Sequence, residues 1–233
     1  MALPKIDLPV YQCELPSTGK KIKFVPFTVK EEKILLTAQE TGETEQMMIS
    51  IKQILNNCLV ENTIDDLSVF DIEYLLIQLR SKSVDNEIEF EIKDPETDET
   101  VKLKLDLGLV KVYRNEAHTN KIKISDQYTL FLKYPTIDQF GELLGNEQQT
   151  AEDSYTIMIA CLDKLASEEE VYNFKDFPQT EINDFVESLH ADTIKNIKKF
   201  FDTMPKVRHE IAYKNSKGVN KIFVMEGTQT FFI

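Results

Sequence analysis

Glycine is scarce in this chain of 233 residues, with seven in all, and the shortage removes one class of function at once. Loops that cradle phosphate need several glycines so that backbone N–H groups can approach the oxygens. The Gly-Lys pair in "STGKK", residues 17–21, lacks the first glycine and the spacing of a Walker loop, and it precedes an extended stretch rather than a helix. It reads as a turn. Cysteine and histidine are equally rare, at three each. Cys13, Cys58 and Cys161 are far apart, odd in number and without a Cys-x-x-Cys pair, which argues against a disulfide framework and a zinc site alike. Cys58 and Cys161 fall among Leu and Ile at helical spacing and read as buried thiols. His118, His190 and His209 have no second ligand or catalytic partner at motif spacing, and each is expected at the surface. No apolar run reaches the length that spans a bilayer, and "MALPKIDLPVYQ" lacks the apolar stretch of a secretory signal, so a soluble intracellular protein is expected.

What the chain does contain is charge and amphipathic pattern. Forty acidic against 27 basic residues give a formal net charge of −13, a balance that phosphate backbones and anionic membranes repel. Neither nucleic acid nor membrane is expected as a partner; a basic protein surface fits better, although net charge also simply keeps a protein in solution. The abundance of carboxylates nominates no catalytic pair, and "SEEEV" and "DPETDET" read as solvated surface. No nucleophile elbow or kinase signature is present. With 42% hydrophobic residues the chain can bury a sizeable core.

The fold class expected is α+β: a mainly helical body with an N-terminal β-hairpin, a β-rich central insert and a C-terminal closing strand. Val10 to Glu14 and Lys21 to Val25 flank the turn "LPSTGKK" as the hairpin. Thr28 and Glu31 form a capping box for a helix carrying Ile34, Leu35 and Ala38. Met47, Met48, Ile51, Ile54, Leu55, Cys58 and Leu59 recur on one face of a second helix. A third begins near Ser68, with Asp71 in its first turn, and carries Ile72, Leu75, Leu76 and Leu79. The three are expected to bundle against the hairpin. Ile88, Phe90 and Ile92 alternate with glutamates, and Val101, Leu103 and Leu105 with lysines. That is a second hairpin with one buried face and a glutamate strand facing a lysine strand. "KIKIS" and "YTLFLKY" read as further strands. Thr136 and Gln139 form another capping box for a short helix ending at Gly145. A longer helix is expected to carry Ile157, Met158, Cys161, Leu162 and Leu165. Ile182 to Leu189 and Ile194 to Met204 mark two more; Ile211 and Tyr213 come next, then the turn "NSKG" and the closing strand "IFVM". The pattern divides the chain into 1–85 (hairpin and three helices), 86–135 (β-rich) and 136–233 (helical, with a terminal strand).

Three segments, in order, resemble the T4-like bacteriophage baseplate hub assembly protein family. "LPSTGKKIKFVPFTVKEEKILLTA" is similar to its N-terminal signature: a Pro-Ser-x-Gly-Lys turn, a basic-apolar strand, a Pro-Phe pair and a Glu-Lys-rich helix. "RSKSVDNEIEFEI" resembles its entry into the β-hairpin, and "EGTQTFFI" its aromatic ending after a glycine. The resemblance implies a virus-encoded, non-enzymatic factor that helps to build the hub of a contractile-tail baseplate, with no catalytic residue, metal or cofactor to carry over. The expected role is an assembly factor or chaperone binding hub or tape-measure components in the host bacterial cytoplasm. The alternative is a structural subunit retained in the virion baseplate. Oligomeric state is left open. The residues expected to meet a partner are Ser17, Gly19 and Lys20 of the turn, Lys21 and Lys23 of the strand, and Phe231, Phe232 and Ile233 of the tail.

The tail has two readings. Gly227 permits a chain reversal, after which Phe231 and Phe232 fold back to anchor the end, each burial being worth roughly 1.5–3 kcal/mol. Otherwise the tail is a docking peg. Deleting Thr230 to Ile233 is expected to lower the melting temperature if the tail is an anchor. A peg gives instead a stable protein that no longer supports tail assembly.

Overall fold

The structure, a computed structural model, describes residues 6–61, 63–84, 86–139 and 150–226. In chain order the strands and helices begin with β1 (Tyr11–Glu14), β2 (Lys21–Phe24), α1 (Val29–Thr41), α2 (Thr44–Cys58) and α3 (Val69–Ser83). Next come β3 (Glu87–Lys93), β4 (Thr100–Asp106), β5 (Lys111–Tyr113), β6 (Lys121–Lys123) and β7 (Thr129–Leu132). Then follow α4 (Ala151–Ala160), β8 (Leu162–Ala166), β9 (Val171–Asn173), α5 (Gln179–Glu187), α6 (Ala191–Asp202), β10 (Lys206–Lys214) and β11 (Asn220–Glu226). The class is α+β, with the N-terminal hairpin in place. Two compact units emerge, residues 1–113 with 206–233 and residues 114–205. They differ from three consecutive segments because the β3–β4 hairpin shares its core with α3, β10 and β11.

In the first unit β1 and β2 pair antiparallel, Glu14 opposite Lys21, around a turn in which Gly19 takes φ +71°. Glycine reaches that angle without a Cβ clash. Pairing alone does not hold a two-stranded hairpin in water. Here Val25 N–H donates to Cys58 O and Val60 N–H to Lys23 O, so the end of α2 extends the hairpin. The α1 start matches the capping pattern: Glu31 accepts from the Thr28 N–H at 3.0 Å and from its hydroxyl at 2.7 Å. Helix α1 packs on α2, whereas α3 packs on the 3-10 turn Leu107–Leu109 and on β10, β1 and β5 rather than completing a bundle. Helix α3 is buried on several sides, Ile72, Leu75, Leu76, Ile77 and Leu79 among its covered residues.

Its cap is a junction. Ser68 accepts the Asp71 N–H, and its hydroxyl donates to Asp71 Oδ2 at 2.5 Å. The other oxygen of this fully buried carboxylate accepts the Ser17 N–H of the hairpin turn at 2.9 Å. One carboxylate therefore closes the helix start and pins the β1–β2 turn.

The β3–β4 hairpin has the register that alternation implies. Glu89 faces Lys104 and Glu91 faces Lys102, as ion pairs of 2.5 and 3.4 Å, while Phe90, Leu103 and Leu105 turn inward. These join Ile77, Val207 and Met225 in one core. Strands β11, β10 and β5 form a three-stranded sheet in that order. The "DPETDET" turn departs from its solvated reading at one residue: Asp94 is buried. Its Oδ1 accepts from the N–H groups of Glu96 and Thr97 and its Oδ2 from the Tyr213 hydroxyl at 2.7 Å. The turn needs a carboxylate at its base, and burial follows because strand β10 covers it.

The second unit is a four-stranded antiparallel sheet, β6-β7-β8-β9, with α4, α5 and α6 supplying core residues such as Met158, Val186, Ile197 and Phe200. Here the sequence reading needs correction. The long helix expected through Leu162 and Leu165 ends at Ala160, and Leu162–Ala166 is a strand between β7 and β9. Leu162 and Leu165 sit three apart, as on a helix face, but a β-bulge at Phe131 and Leu132 shifts the register so that both reach the core. Gln139 does accept the Thr136 N–H, at 3.0 Å, while the helix end expected at Gly145 lies outside the described residues.

Asp94 makes acid stability a test of the first unit. Burial alone would raise its pKa, but the hydrogen bonds from Tyr213, Glu96 and Thr97 outweigh it and hold the group at about 2, against an ordinary 3.8. A depressed folded-state pKa stabilises the fold above about 3.8 and is lost as pH falls towards about 2. Denaturation midpoints measured across that window should fall steeply for the native chain. Asp94→Asn should lower stability near neutrality and flatten the acid limb.

Candidate partner-binding site

Among the described residues no group of three or more His, Cys, Asp or Glu side chains is placed to hold a metal, and no helix is long and apolar enough to cross a membrane. Burial raises the thiol pKa of Cys58 and of Cys161 to about 12 and that of Cys13 to about 11, so none is an activated nucleophile. Cys58 and Cys161 are buried, as their spacing predicts.

His118 is not the surface residue expected. Its Nδ1 lies 3.0 Å from Thr203 Oγ1 and its Nε2 3.0 Å from the Tyr134 hydroxyl. The ring stacks on Tyr134 and leans on Phe200, at centroid distances of 5.7 and 5.2 Å. Thr203 gives its own proton to Lys199 O at 2.7 Å, so its oxygen is left to accept from His118 Nδ1–H, and Nε2 accepts from Tyr134. Burial lowers the pKa and favours this neutral form. With both nitrogens engaged, His118 ties its loop to the end of α6 and is spent as a base. The polar loop "NEAHTN" carried no sequence signal of the aromatic pair that would cover it. His190 is the exposed N-cap of α6, its Nδ1 accepting from Asp192 N–H at 3.3 Å.

The residues singled out in the N-terminal turn lie together on the β1–β2 hairpin, but not all as free surface. Ser17 is half-buried and its N–H is committed to Asp71; Gly19 is needed for its backbone angle. Lys20, Lys21 and Lys23 are exposed, the last two on the outward face while Ile22 and Phe24 point in. Phe231, Phe232 and Ile233 lie outside the described residues.

A concave apolar surface is found elsewhere, in the second unit. Tyr128, Leu165, Tyr172, Phe174, Phe177 and Phe185 line an open cup of ≈ 270 Å³ between the β8–β9 end of the sheet and α5. Two features of the chain build it. Strand β9 leads into a single 3-10 turn, Phe174–Asp176, that buries Phe174 as a floor and turns Phe177 outward. Pro178 then starts α5, whose first apolar positions, Ile182 and Phe185, form the far wall. Phe174 meets Phe185 at 5.3 Å and Tyr172 meets Phe177 at 6.4 Å between ring centroids. The rim is acidic: Glu181 borders the cup, and the Tyr172 hydroxyl donates to Glu170. The volume falls just below the roughly 300–1,000 Å³ of small-molecule pockets, so the cup suits an apolar side chain or two of a protein partner. Sequence reading placed Ile182 and Phe185 on a helix but missed the cup, because Val171–Asn173 is too short a strand to show alternation.

A second cleft of ≈ 230 Å³ adjoins His118, bordered by Lys121, Lys123, Lys199, Asn196 and Thr203. Lys123 is paired with Asp126 at 2.6 Å, and Lys121 lies 5.7 Å from the Phe131 ring. Those two ammonium groups are engaged locally, which leaves the apolar cup as the stronger candidate.

The two aromatic positions separate support from contact. Phe174→Ala should cost about 3–5 kcal/mol, as expected for a buried Phe. Phe177→Ala, at a side chain 39% exposed, should leave the denaturation midpoint nearly unchanged while emptying one wall of the cup.

In comparison with known proteins, the family model described as T4 bacteriophage base plate protein matches residues 8–233. No curated protein and no solved structure matches.

Proposed function

The chain belongs to the T4 bacteriophage base plate protein family, and from that membership we propose a non-enzymatic assembly factor, or chaperone, of the baseplate hub. The match over nearly the whole chain carries the reading. It supports a role in a phage baseplate, and the finer role rests on chemistry. An assembly factor must hold an apolar segment of a hub or tape-measure component without trapping it. The cup on the second unit has that character: aromatic walls for an apolar side chain, and glutamates at the rim for a neighbouring Lys or Arg. Its small size limits affinity and so favours release. On the first unit, the exposed Lys20, Lys21 and Lys23 offer a local basic patch to an acidic stretch of a partner. A net charge of −13 discourages premature association with other acidic chains while the complex forms. Action in the host cytoplasm follows from this role, because tails are assembled there before particles are released.

A chaperone leaves; a subunit stays. In an infection with the gene inactivated, hubs should fail to assemble, and peptides of this chain should be absent from purified virions of the normal phage. Its presence there at a stoichiometry matching hub symmetry would falsify the chaperone reading and establish a retained structural subunit.

A further inference from the structure

The cleft of ≈ 230 Å³ beside His118 gathers three lysines and no carboxylate in its lining, within a chain whose net charge is −13. We propose that this cleft is a carboxylate site, which seats an Asp or Glu side chain from an acidic segment of a protein partner. Two elements of the second unit bring its donors together. Strand β6 sets Lys121 and Lys123 on either side of the buried Ile122. Helix α6 packs on that strand and contributes Asn196, Lys199 and Thr203, which share one helix face.

The donors are available to a ligand. Among the described residues, the Lys199 ammonium and the Asn196 amide have no hydrogen bond or ion pair. Thr119 Oγ1 accepts the Lys121 N–H at 3.1 Å, so its own hydroxyl proton remains to be given. Lys121 meets the Phe131 ring at 5.7 Å, a contact that leaves other N–H groups of the ammonium to donate. Lys123 is paired with Asp126, but the two side chains are 67% and 97% exposed. Such a pair contributes little, and Lys123 exchanges it readily for another carboxylate. Thr203 removes an obstacle: its N–H and its hydroxyl both donate to Lys199 O, covering a carbonyl at the C-terminal end of α6 that would repel an anion.

The class of anion follows from what the cleft offers. Phosphate sites draw on backbone N–H groups at a glycine-rich loop or a helix N-terminus. Here the lining contains no glycine, and α6 presents its C-terminal end. The donors are lysine heads, a hydroxyl and an amide, which act as separate points of charge and hydrogen bonding around one carboxylate. Ala117, Ile122 and Phe200 supply apolar wall for the methylene stem that carries it. Overall acidity disfavours a nucleic-acid phosphate, and membership of a base plate protein family favours a protein as the source. The site serves equally a chaperone that leaves and a subunit that stays, so it stands apart from the choice between them.

Titrating the isotope-labelled full chain with an acetylated hexaglutamate peptide at low salt, followed by NMR, reads the site residue by residue. The amide signals of Ala117, Thr119, Lys121, Asn196 and Lys199 should shift together and saturate at roughly millimolar peptide, as a few exposed ion pairs allow. Lys199→Gln and Lys123→Gln, both at exposed positions, should each weaken binding about fivefold with unchanged thermal melts. Lys199→Arg should bind as the native chain does. Lys175→Gln, which removes the same charge outside the cleft, should have no effect. Absence of a saturable shift at the cleft overturns the proposal. So do shifts confined to Lys20, Lys21 and Lys23, or a Lys175→Gln variant as weak as the cleft variants. Inorganic phosphate that moves the same amides at lower concentration than the peptide also overturns it, and makes the cleft a phosphate site.

Discussion

The first unit depends on the carboxylate of Asp71. A buried carboxylate is costly unless its oxygens are satisfied, and here the Ser68 hydroxyl and the Ser17 N–H of a distant turn both donate to it in the first turn of α3. The consequence runs outward. Because Asp71 holds the Ser17 turn, the β1–β2 hairpin is fixed to the start of α3, and β1 lies along that helix. Because α3 is covered by β1 and by strands β5 and β10, its residues can be apolar over much of its circumference rather than along one stripe. Ser17, expected from the sequence to meet a partner, acts first as part of this knot.

Asp94 repeats the device at the other end of the unit. It organises the β3–β4 turn through two backbone N–H groups and then captures Tyr213 of β10, joining residues 119 positions apart. The small sheets of this fold offer few long ladders, so specific polar junctions fix how hairpins lie on their neighbours. On the outer face of that hairpin the Glu89–Lys104 and Glu91–Lys102 pairs help to set register but, being exposed, contribute little to stability.

Much of this was legible where local chemistry decides structure. The Thr28–Glu31 and Thr136–Gln139 caps, the Ser68 start and the Glu-against-Lys hairpin each depend on residues near in sequence or matched by alternation, and each is present. What was illegible depends on partners far along the chain. Leu162 and Leu165 carry a helical spacing that strand pairing on both sides overrides. Asp94 looked like any acid in a charged turn until Tyr213 closed over it, and His118 like any polar-loop histidine until Tyr134 and Phe200 flanked it. The aromatic cup joins Tyr128, β8, β9 and α5, so no single window of sequence contains it. The family was more readable than the site, since ordered short motifs record ancestry even where they do not record contacts.

Global charge and local surface pull in opposite directions on association. At a distance a chain of charge −13 repels acidic partners and attracts basic ones, and salt screens both effects over a Debye length of about 8–10 Å. In contact, the aromatic walls of the cup act through apolar burial, which moderate salt does not weaken. Charge therefore governs the approach of a basic partner, and apolar contact governs how long a seated side chain stays. Raised ionic strength would slow such capture far more than it would speed release.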